Sequence, residues 1–286
     1  MIPEARSRRV RPAGSLPAMI TAEEFYDRHA ERYDDTYFAD DPYWEFYRAR
    51  VWETLKPNLP REAGAPVLDA GGGTGYWTLR IAKSGYRVSL VDISQRMLEV
   101  ARRKIAASGL AVTDVRRADI AGLEGLPDAH FALALAEGDP ISCCSAPRQA
   151  ARALHRVLRP GGRCVASVDG TWAGLSYYLE KGRVEELERY LRDGRTWWLA
   201  HRPEERFPLH TFTPDGLRAL FERAGFRVLR ITGKTVLPVR KHPEVLRDPQ
   251  SFRRLLRLER SLASEPALLG GAAHLVIEAE KPSIPA

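Results

Sequence analysis

The glycine-rich segment at residues 67–75, which reads Val-Leu-Asp-Ala-Gly-Gly-Gly-Thr-Gly, constrains the fold more than any other feature of this chain. Its apolar residues predict a short buried parallel strand, with Asp69 near the end. The glycines that follow permit a sharp turn into a helix and let a ligand approach the backbone closely. Their spacing is shorter than in the dinucleotide-binding fingerprint. The segment therefore favours a ligand with an amine or hydroxyls over a pyrophosphate, with a plain glycine-rich turn as the alternative.

A second strand with a terminal acid follows the loop. Helical periodicity runs from Tyr76 to Ser84, and residues 87–92 predict another buried strand that ends in Asp92. Asp92 lies roughly 20 residues beyond the loop, where a carboxylate can accept hydrogen bonds from both ribose hydroxyls of a nucleoside. Strands that alternate with helices in this way predict a mainly parallel sheet with right-handed crossovers.

The pattern as a whole predicts an α/β fold: a Rossmann-like seven-stranded, mainly parallel sheet with helices on both faces and a helical cap or insertion. Residues 1–20 are predicted to be a disordered leader. The main domain is expected over 21–281, with insertions at about 170–210 and 241–270, and a tail at 282–286. Aromatic residues of the first insertion either cover a substrate or pack the cap onto the domain. Strands are predicted near 66–70, 87–92, 112–117, 130–136, 163–168, 226–232 and 273–280, and helices near 43–55, 76–84, 94–107, 146–158, 214–223 and 251–263.

The order of these motifs resembles that of the class I S-adenosylmethionine-dependent methyltransferases. The resemblance rests on the Asp-x-Gly-x-Gly-x-Gly loop, on Asp92, on Asp119 after the third strand, and on the helix end and turn at residues 156–162. It covers roughly residues 22–169 with specific motifs and 206–281 more loosely. It implies the strand order 3-2-1-4-5-7-6 with an antiparallel last strand, S-adenosylmethionine as cofactor and S-adenosylhomocysteine as its product.

The resemblance also implies which residues hold the cofactor. Asp69 is expected to order the glycine loop and reach the cofactor's amine. Asp92 is expected to bind the ribose, and Asp119 to accept a hydrogen bond from the adenine amino group unless it only caps a helix. Glu137, after the fourth strand, is expected to hydrogen-bond the cofactor or orient the acceptor. The full set is Tyr33, Asp69, Gly71, Gly73, Gly75, Asp92, Ile93, Met97, Asp119, Ile120 and Glu137.

Methyl transfer from a sulfonium is an in-line displacement with a good leaving group, so proximity and orientation carry much of the catalysis. A general base is needed only if the acceptor arrives protonated. His210 is the first candidate for that base, with a surface loop histidine as the alternative interpretation. Tyr33 is the second catalytic candidate, while His29 and His201 are weaker ones. Asp139 is a candidate cap of the helix that follows it.

Composition limits which cellular compartment and which metal cofactors are expected. Three cysteines without a C-x-x-C pair predict no disulfide framework, and seven histidines without i, i+4 pairing predict no metal site. No apolar run approaches the length of a membrane span, and no secretory signal is recognised. These features together favour a cytoplasmic protein.

Charge bears on the partners. The net charge is +7, but the arginines are dispersed, which favours a small-molecule acceptor over nucleic acid. No membrane partner is expected, and the oligomeric state stays open between monomer and homodimer. The predicted function is methyl transfer to an oxygen or nitrogen of a small molecule. The alternatives are an RNA-modifying methyltransferase, and a cofactor-binding protein of the same fold that transfers no methyl group or uses its pocket for another reaction.

Overall fold

The computed structural model describes residues 20–180, 182–197 and 203–283. Nearly all of the predicted leader, most of the predicted tail, and His201 lie outside the described residues. The chain folds around one large sheet, and no helix among the described residues is both long enough and apolar enough to cross a bilayer. The strands are β1 Pro66–Ala70, β2 Arg87–Asp92, β3 Val112–Arg117, β4 Phe131–Ala136, β5 Leu158–Asp169, β6 Arg195–Trp197, β7 Pro208–His210, β8 Arg227–Lys234 and β9 His274–Glu280.

Seven strands form the main sheet in the order β3-β2-β1-β4-β5-β9-β8. The first five are parallel, and β9 runs antiparallel to both β5 and β8. This confirms the predicted order and the antiparallel last strand. Because β9 runs the other way, its first residue, His274, lies at the edge where the parallel strands end, directly opposite Asp169 of β5.

Helices cover both faces of the sheet, and alternate residues of one strand enter two different cores. Ala134 packs in a core that includes Leu154 and Leu217. Its neighbour Leu133 packs in another core with Val51 and Ile81. The helices are α1 Ala22–His29, α2 Tyr33–Tyr37, α3 Pro42–Leu55, α4 Tyr76–Lys83, α5 Gln95–Ser108, α6 Pro140–Cys143, α7 Pro147–Val157, α8 Gly174–Glu180, α9 Val184–Asp193, α10 Pro214–Arg223, α11 Pro249–Leu262 and α12 Pro266–Leu269.

Local chemistry explains where α1 starts. The Thr21 hydroxyl accepts a hydrogen bond from the Glu24 N–H, and the Glu24 carboxylate accepts one from the Thr21 N–H. This reciprocal cap satisfies two amides that the first turn leaves free. The helix ends at His29, and a short 3₁₀ turn separates it from α2.

The segment at 170–210 differs most from its prediction. Two helices, α8 and α9, occupy its first part as expected. The segment then forms an antiparallel pair of three-residue strands, β6 and β7, which the sequence did not reveal. Strands this short carry no measurable periodicity. Their pairing places His210 at the end of a strand, not in a loop.

Candidate functional site

A cavity of about 460 Å³ lies at the carboxyl edge of the sheet, a size typical of small-molecule sites. Residues after β1, β2, β3 and β4 form its floor, and α1 and β7 contribute further walls. Ten of the twelve predicted site residues line it, whereas Asp69 and Gly75 do not. The ten are Tyr33, Gly71, Gly73, Asp92, Ile93, Met97, Asp119, Ile120, Glu137 and His210.

The glycine loop needs glycine for two separate reasons. Gly71 has φ +79° and Gly73 has φ +53°, both in the left-handed region that other residues rarely adopt. In addition, a Cβ atom at Gly71 would lie 2.6 Å from the Cβ of Pro140, so only glycine lets this loop meet the loop after β4. The N–H groups of Gly71 and Gly72 both donate to the Val91 carbonyl, which ties the loop to β2.

Asp92 is held rigidly at the end of β2. Its Oδ2 accepts a hydrogen bond from the Gly73 N–H at 2.9 Å, and its Oδ1 accepts one from the Ser94 N–H at 2.8 Å. Burial raises the pKa of Asp92 to about 6, against the opposing effect of these two amides. Each carboxylate oxygen keeps a second lone pair, so the group can still accept hydrogen bonds from ligand hydroxyls in the cavity.

Asp69 lies beneath the glycine loop. Its Oδ2 accepts a hydrogen bond from the Thr78 hydroxyl at 2.6 Å, and burial raises its pKa to about 7. A Cβ atom at Gly72 would lie 2.8 Å from the Asp69 carboxyl carbon. These contacts make Asp69 a support for the loop and for α4, and its reach to a ligand amine stays a prediction.

Apolar side chains form part of the cavity wall near β2 and β3. Ile93, Met97 and Ile120 line it, and Met97 is almost completely buried. Asp119 also lines this end, although its Oδ1 accepts a hydrogen bond from the Ala121 N–H at 2.8 Å. The turn at Asp119 therefore occupies one carboxylate oxygen and leaves the other for a ligand.

Helix α1 is fixed over this end of the cavity by polar contacts. The Asp27 Oδ1 accepts hydrogen bonds from the Ser94 hydroxyl at 2.6 Å and from the Arg96 N–H at 3.1 Å. Glu23 forms an ion pair with Arg117 at the end of β3. The N-terminal segment thus forms part of the cavity wall and restricts access to it.

Tyr33, Glu137 and His210 line the other end, next to β4 and β7. Burial raises the pKa of Tyr33 well above its usual value, so its hydroxyl stays protonated and can donate a hydrogen bond. Burial, followed by the charge of Arg195, lowers the pKa of His210, so its imidazole is neutral at pH 7 and can accept a proton. Since β1 separates β2 from β4 in the sheet, an elongated ligand can extend from Asp92 to Glu137.

Within the insertion, only Pro208 and His210 are lining residues of this cavity among the positions that the structure describes. The aromatic residues of α8 have other contacts. Tyr178 is buried and forms a hydrogen bond with the Thr196 hydroxyl, and Tyr177 stacks edge-on against it. For Tyr177 and Tyr178, packing of the cap is thus the better interpretation.

A buried ion pair at the end of β4 was not found from the sequence. The Lys234 ammonium lies 2.5 Å from Glu137 Oε1, and both side chains are only 3% exposed. The Tyr47 hydroxyl donates to the same oxygen at 3.2 Å, and the Lys234 nitrogen lies 4.4 Å from the centre of the Tyr47 ring. The available signal was a lysine that shortly follows the predicted strand at 226–232.

A second polar cluster, which consists of Asp139, Asp169 and His274, lies at the same edge of the sheet. Asp139 has φ +62°, and Ser167 Oγ accepts hydrogen bonds from its N–H and from that of Gly138. The sequence had suggested that Asp139 caps α6, but its side chain does not do so. Asp139 Oδ2 instead lies 2.7 Å from His274 Nδ1. Asp169 Oδ1 lies 3.9 Å from the same nitrogen.

Ionisation of this cluster follows from its burial and charges. Burial opposes ionisation of Asp139, but the charges of His274 and Lys234 hold its pKa well below the usual range. Burial and then the charge of Asp139 raise the pKa of Asp169 to about 7. Burial disfavours the charged form of His274, yet the carboxylate of Asp139 raises its pKa overall. Positions 139, 169 and 274 are far apart in sequence. The pairing of β5 with β9 brings Asp169 to His274, and Asp139 follows β4, which pairs with β5.

Comparison with known proteins identifies similar folds and sequences. Residues 67–162 match a family model described as a methyltransferase domain. The S-adenosyl-L-methionine-dependent Diels-Alderase iccD of Talaromyces variabilis is 30% identical over 233 residues, which cover 79% of this chain and 75% of that protein. The chloroplastic 2-methyl-6-phytyl-1,4-hydroquinone methyltransferase 1 of Oryza sativa subsp. japonica is 28% identical over 82% of this chain and 61% of its own length.

A solved structure with a similar fold is that of the [4+2]-cyclase SpnF. It superposes with a TM-score of 0.59 at 19% identity, and the match covers 95% of this chain and 100% of that one. At this identity the likeness concerns the fold alone. Two further curated relatives are matched over 49% and 36% of their own length.

Proposed function

Because the chain belongs to the class I S-adenosylmethionine-dependent methyltransferases and has S-adenosylmethionine as its cofactor, we propose that it methylates an oxygen or nitrogen of a small-molecule acceptor. One observation carries the proposal: Asp92, Glu137 and His210 line a single cavity at the edge of the sheet where the parallel strands end. The acceptor is proposed to bind at the end formed by Tyr33, Glu137 and His210, and the adenosine part of the cofactor at the other end.

The bound cofactor supplies an electrophilic methyl group with a neutral thioether as the leaving group. The protein's task is then to align the acceptor and to remove its proton where it carries one. His210 is proposed as the group that takes this proton, since its imidazole is neutral at pH 7. Tyr33, which stays protonated, donates a hydrogen bond that orients the acceptor or the cofactor. Glu137 is proposed to hold the cofactor or the acceptor, and its buried ion pair with Lys234 fixes the position of its side chain.

Two observations support a small acceptor. The cavity is bounded on one side by α1, which contacts α5 through Asp27, and on another by β7. A base in an RNA helix would have to enter between these walls. Arginines are also dispersed along the chain and do not form a dense basic tract. We therefore place RNA second among the candidate acceptors. The cytoplasm remains the proposed location of the protein.

The match to iccD favours a second candidate function. That relative is named as an S-adenosyl-L-methionine-dependent Diels-Alderase, and 79% of this chain aligns with it. In a cycloaddition of this kind the cofactor would occupy the same cavity without being consumed. The substrate would react at the end near Tyr33 and His210, where a largely apolar wall and a few hydrogen-bond donors can hold it in a folded conformation.

One experiment separates these candidates. The purified protein is incubated with S-adenosylmethionine and a panel of phenols, hydroxy acids, amines, polyenes and transfer RNA, and products are detected by mass spectrometry. Methyl transfer predicts a small-molecule product heavier by one methyl group together with an equal amount of S-adenosylhomocysteine. A product of unchanged mass with the cofactor intact would support cycloaddition instead. Methylated RNA without a methylated small molecule would support RNA as the acceptor instead.

A further inference from the structure

We propose that Asp139, Asp169 and His274 together bind one divalent first-row transition-metal cation at the carboxyl edge of the sheet. Each side chain offers one ligand atom, and all three atoms lie within 4.8 Å of one another. Donor atoms around a metal with bonds of about 2.0–2.2 Å are separated by about 3 Å along an edge of the coordination polyhedron. His274 Nδ1 lies 2.7 Å from Asp139 Oδ2 and 3.9 Å from Asp169 Oδ1, and these separations lie on either side of that value.

Unpartnered atoms are the independent sign of a missing ligand. Among the described residues, four buried side-chain nitrogen or oxygen atoms have no hydrogen-bond partner, and three of them belong to this cluster: Asp139 Oδ1, Asp169 Oδ2 and His274 Nδ1. Asp139 is only 7% exposed, and the contact of its other oxygen with His274 lacks hydrogen-bond geometry. Buried polar atoms are nearly always partnered, and a cation bound here would supply the partner that these three atoms lack.

The backbone holds the three side chains in place without help from a ligand. Asp169 and His274 face each other in the pairing of β5 with β9. The Asp169 N–H donates to the Ser142 hydroxyl at 2.9 Å, and Ser167 Oγ fixes the left-handed turn at Asp139. A site built on strand ends is pre-organised, which favours metal binding.

Charge and ligand type indicate which cation fits. Lys234 is paired with Glu137, although its charge also acts on Asp139, and the neutral ring of Tyr47 packs edge-on against His274 at 5.9 Å. A bound metal displaces the protons that His274 and Asp169 carry, so that two carboxylates and one neutral imidazole present a charge of −2 to a divalent ion. One nitrogen and two oxygen ligands suit Zn²⁺, Mn²⁺, Fe²⁺ or Co²⁺ better than Mg²⁺ or Ca²⁺, which prefer oxygen alone.

The position of the cation defines its role. Gly138 and Pro140, on either side of Asp139, line the cavity. A metal bound to Asp139 would therefore fix the wall of the cavity at the end assigned to the acceptor. No metal site was expected from the sequence, because the histidines lack the short spacings of metal ligands, and this site departs from that expectation. Metal binding by these residues is independent of whether the protein transfers methyl groups.

The test uses the full chain after treatment with a chelator and dialysis. Titration calorimetry with Zn²⁺ and Mn²⁺ should show one binding site, and Co²⁺ should produce a visible absorption band that saturates at one equivalent. The same metals should raise the temperature of unfolding. The proposal is overturned if none of these metals binds saturably, because the cluster is then a metal-free network that shares protons.

Two variants and a control locate the site. Asp169→Asn and His274→Gln keep side-chain size, and each should weaken Zn²⁺ and Co²⁺ binding at least tenfold. His242→Gln removes an exposed histidine that faces Glu244 at 3.6 Å, and it should bind these metals as tightly as the wild type. If the first two variants are folded by circular dichroism and still bind metal normally, the cation lies elsewhere and the assignment is wrong. Should one of them fail to fold, the other decides the matter.

Discussion

Asp92 accepts a hydrogen bond from the backbone N–H of Gly73 at 2.9 Å, and this contact joins the glycine loop to the acid at the end of the next strand. The two motifs are separate in the sequence, yet they act as one unit in the fold. The amide fixes the carboxylate so that its remaining lone pairs face the cavity that both residues line. Cofactor binding should therefore depend on the ionisation of Asp92.

The affinity for S-adenosylhomocysteine is expected to fall as the pH drops from 7 to 5. Burial raises the pKa of Asp92 to about 6, and ribose hydroxyls donate their hydrogen bonds to the ionised form, so protonation opposes binding. The loss is at most about tenfold per pH unit for one proton. Calorimetric titration at several pH values measures it.

Asp92→Asn is the control for this profile. This variant should bind S-adenosylhomocysteine more weakly at pH 7, by about 1.5–3 kcal/mol, because a charge-assisted hydrogen bond is lost. Its affinity should also depend less on pH. A wild-type affinity that stays constant between pH 7 and pH 5 would refute the role of Asp92.

Two glycine variants should differ in stability. Gly71→Ala combines a left-handed backbone with a Cβ only 2.6 Å from Pro140, so the loops after β1 and β4 must separate. Gly73→Ala has the same backbone strain, but nothing lies within 4 Å of its Cβ. Urea unfolding should show a loss of roughly 1–2 kcal/mol for Gly73→Ala, from the backbone alone, and a further 1–3 kcal/mol for Gly71→Ala. Equal losses would mean that the contact with Pro140 is unimportant.

Removal of Lys234 should be more costly than removal of its whole ion pair. Lys234→Met leaves Glu137 buried and unpaired, which should lower the free energy of unfolding by about 3–5 kcal/mol. The double variant Lys234→Met with Glu137→Gln should recover much of that loss. Arg260→Met serves as the control, since its ion pair with Glu53 is largely exposed and should contribute less than about 1 kcal/mol. Denaturant titrations that rank the double variant below the single one would contradict this account.

Catalysis should depend on His210 if the acceptor binds with its proton. His210→Gln should lower kcat by roughly 10²-fold, in the lower part of the range for general bases. Burial lowers the pKa of His210, so the wild-type rate should rise with pH only below the ordinary histidine range and be constant near neutrality. His242→Gln, on the surface, should leave the rate unchanged. An unaltered kcat in His210→Gln would show that the acceptor arrives ionised or that another group takes the proton.

Local signals allowed much of the fold, and the residues that line the cavity next to β2 and β3, to be predicted. The strand that ends at Asp92 and the helix that begins at Pro214 are encoded by apolar runs, acids and caps within a few residues of each other. The cavity lining at Ile93, Met97 and Ile120 follows from the same motifs. Ile93 directly follows β2, Met97 lies in the first turn of α5, and Ile120 lies three residues after the end of β3.

The polar groups that pair with Glu137 and Asp139 were less predictable because they depend on long-range pairing. Lys234 reaches Glu137 only because β8 and β4 end at the same edge of the sheet. His274 meets Asp139 and Asp169 because β9 is antiparallel to β5, and no spacing in the sequence records that contact. The strands β6 and β7 are too short to show periodicity, so the sequence did not reveal that His210 lies at the end of a strand.

A crystal structure of the protein in complex with S-adenosylhomocysteine tests the central claim most directly, because it locates both ends of the ligand in the cavity. The account predicts that the ribose hydroxyls donate to the Asp92 carboxylate, that the adenine lies between Ile93, Met97 and Ile120, and that the sulfur atom lies at the end lined by Tyr33, Glu137 and His210. A ligand bound outside this cavity, or bound in the reverse direction with its adenine against Glu137, would contradict it.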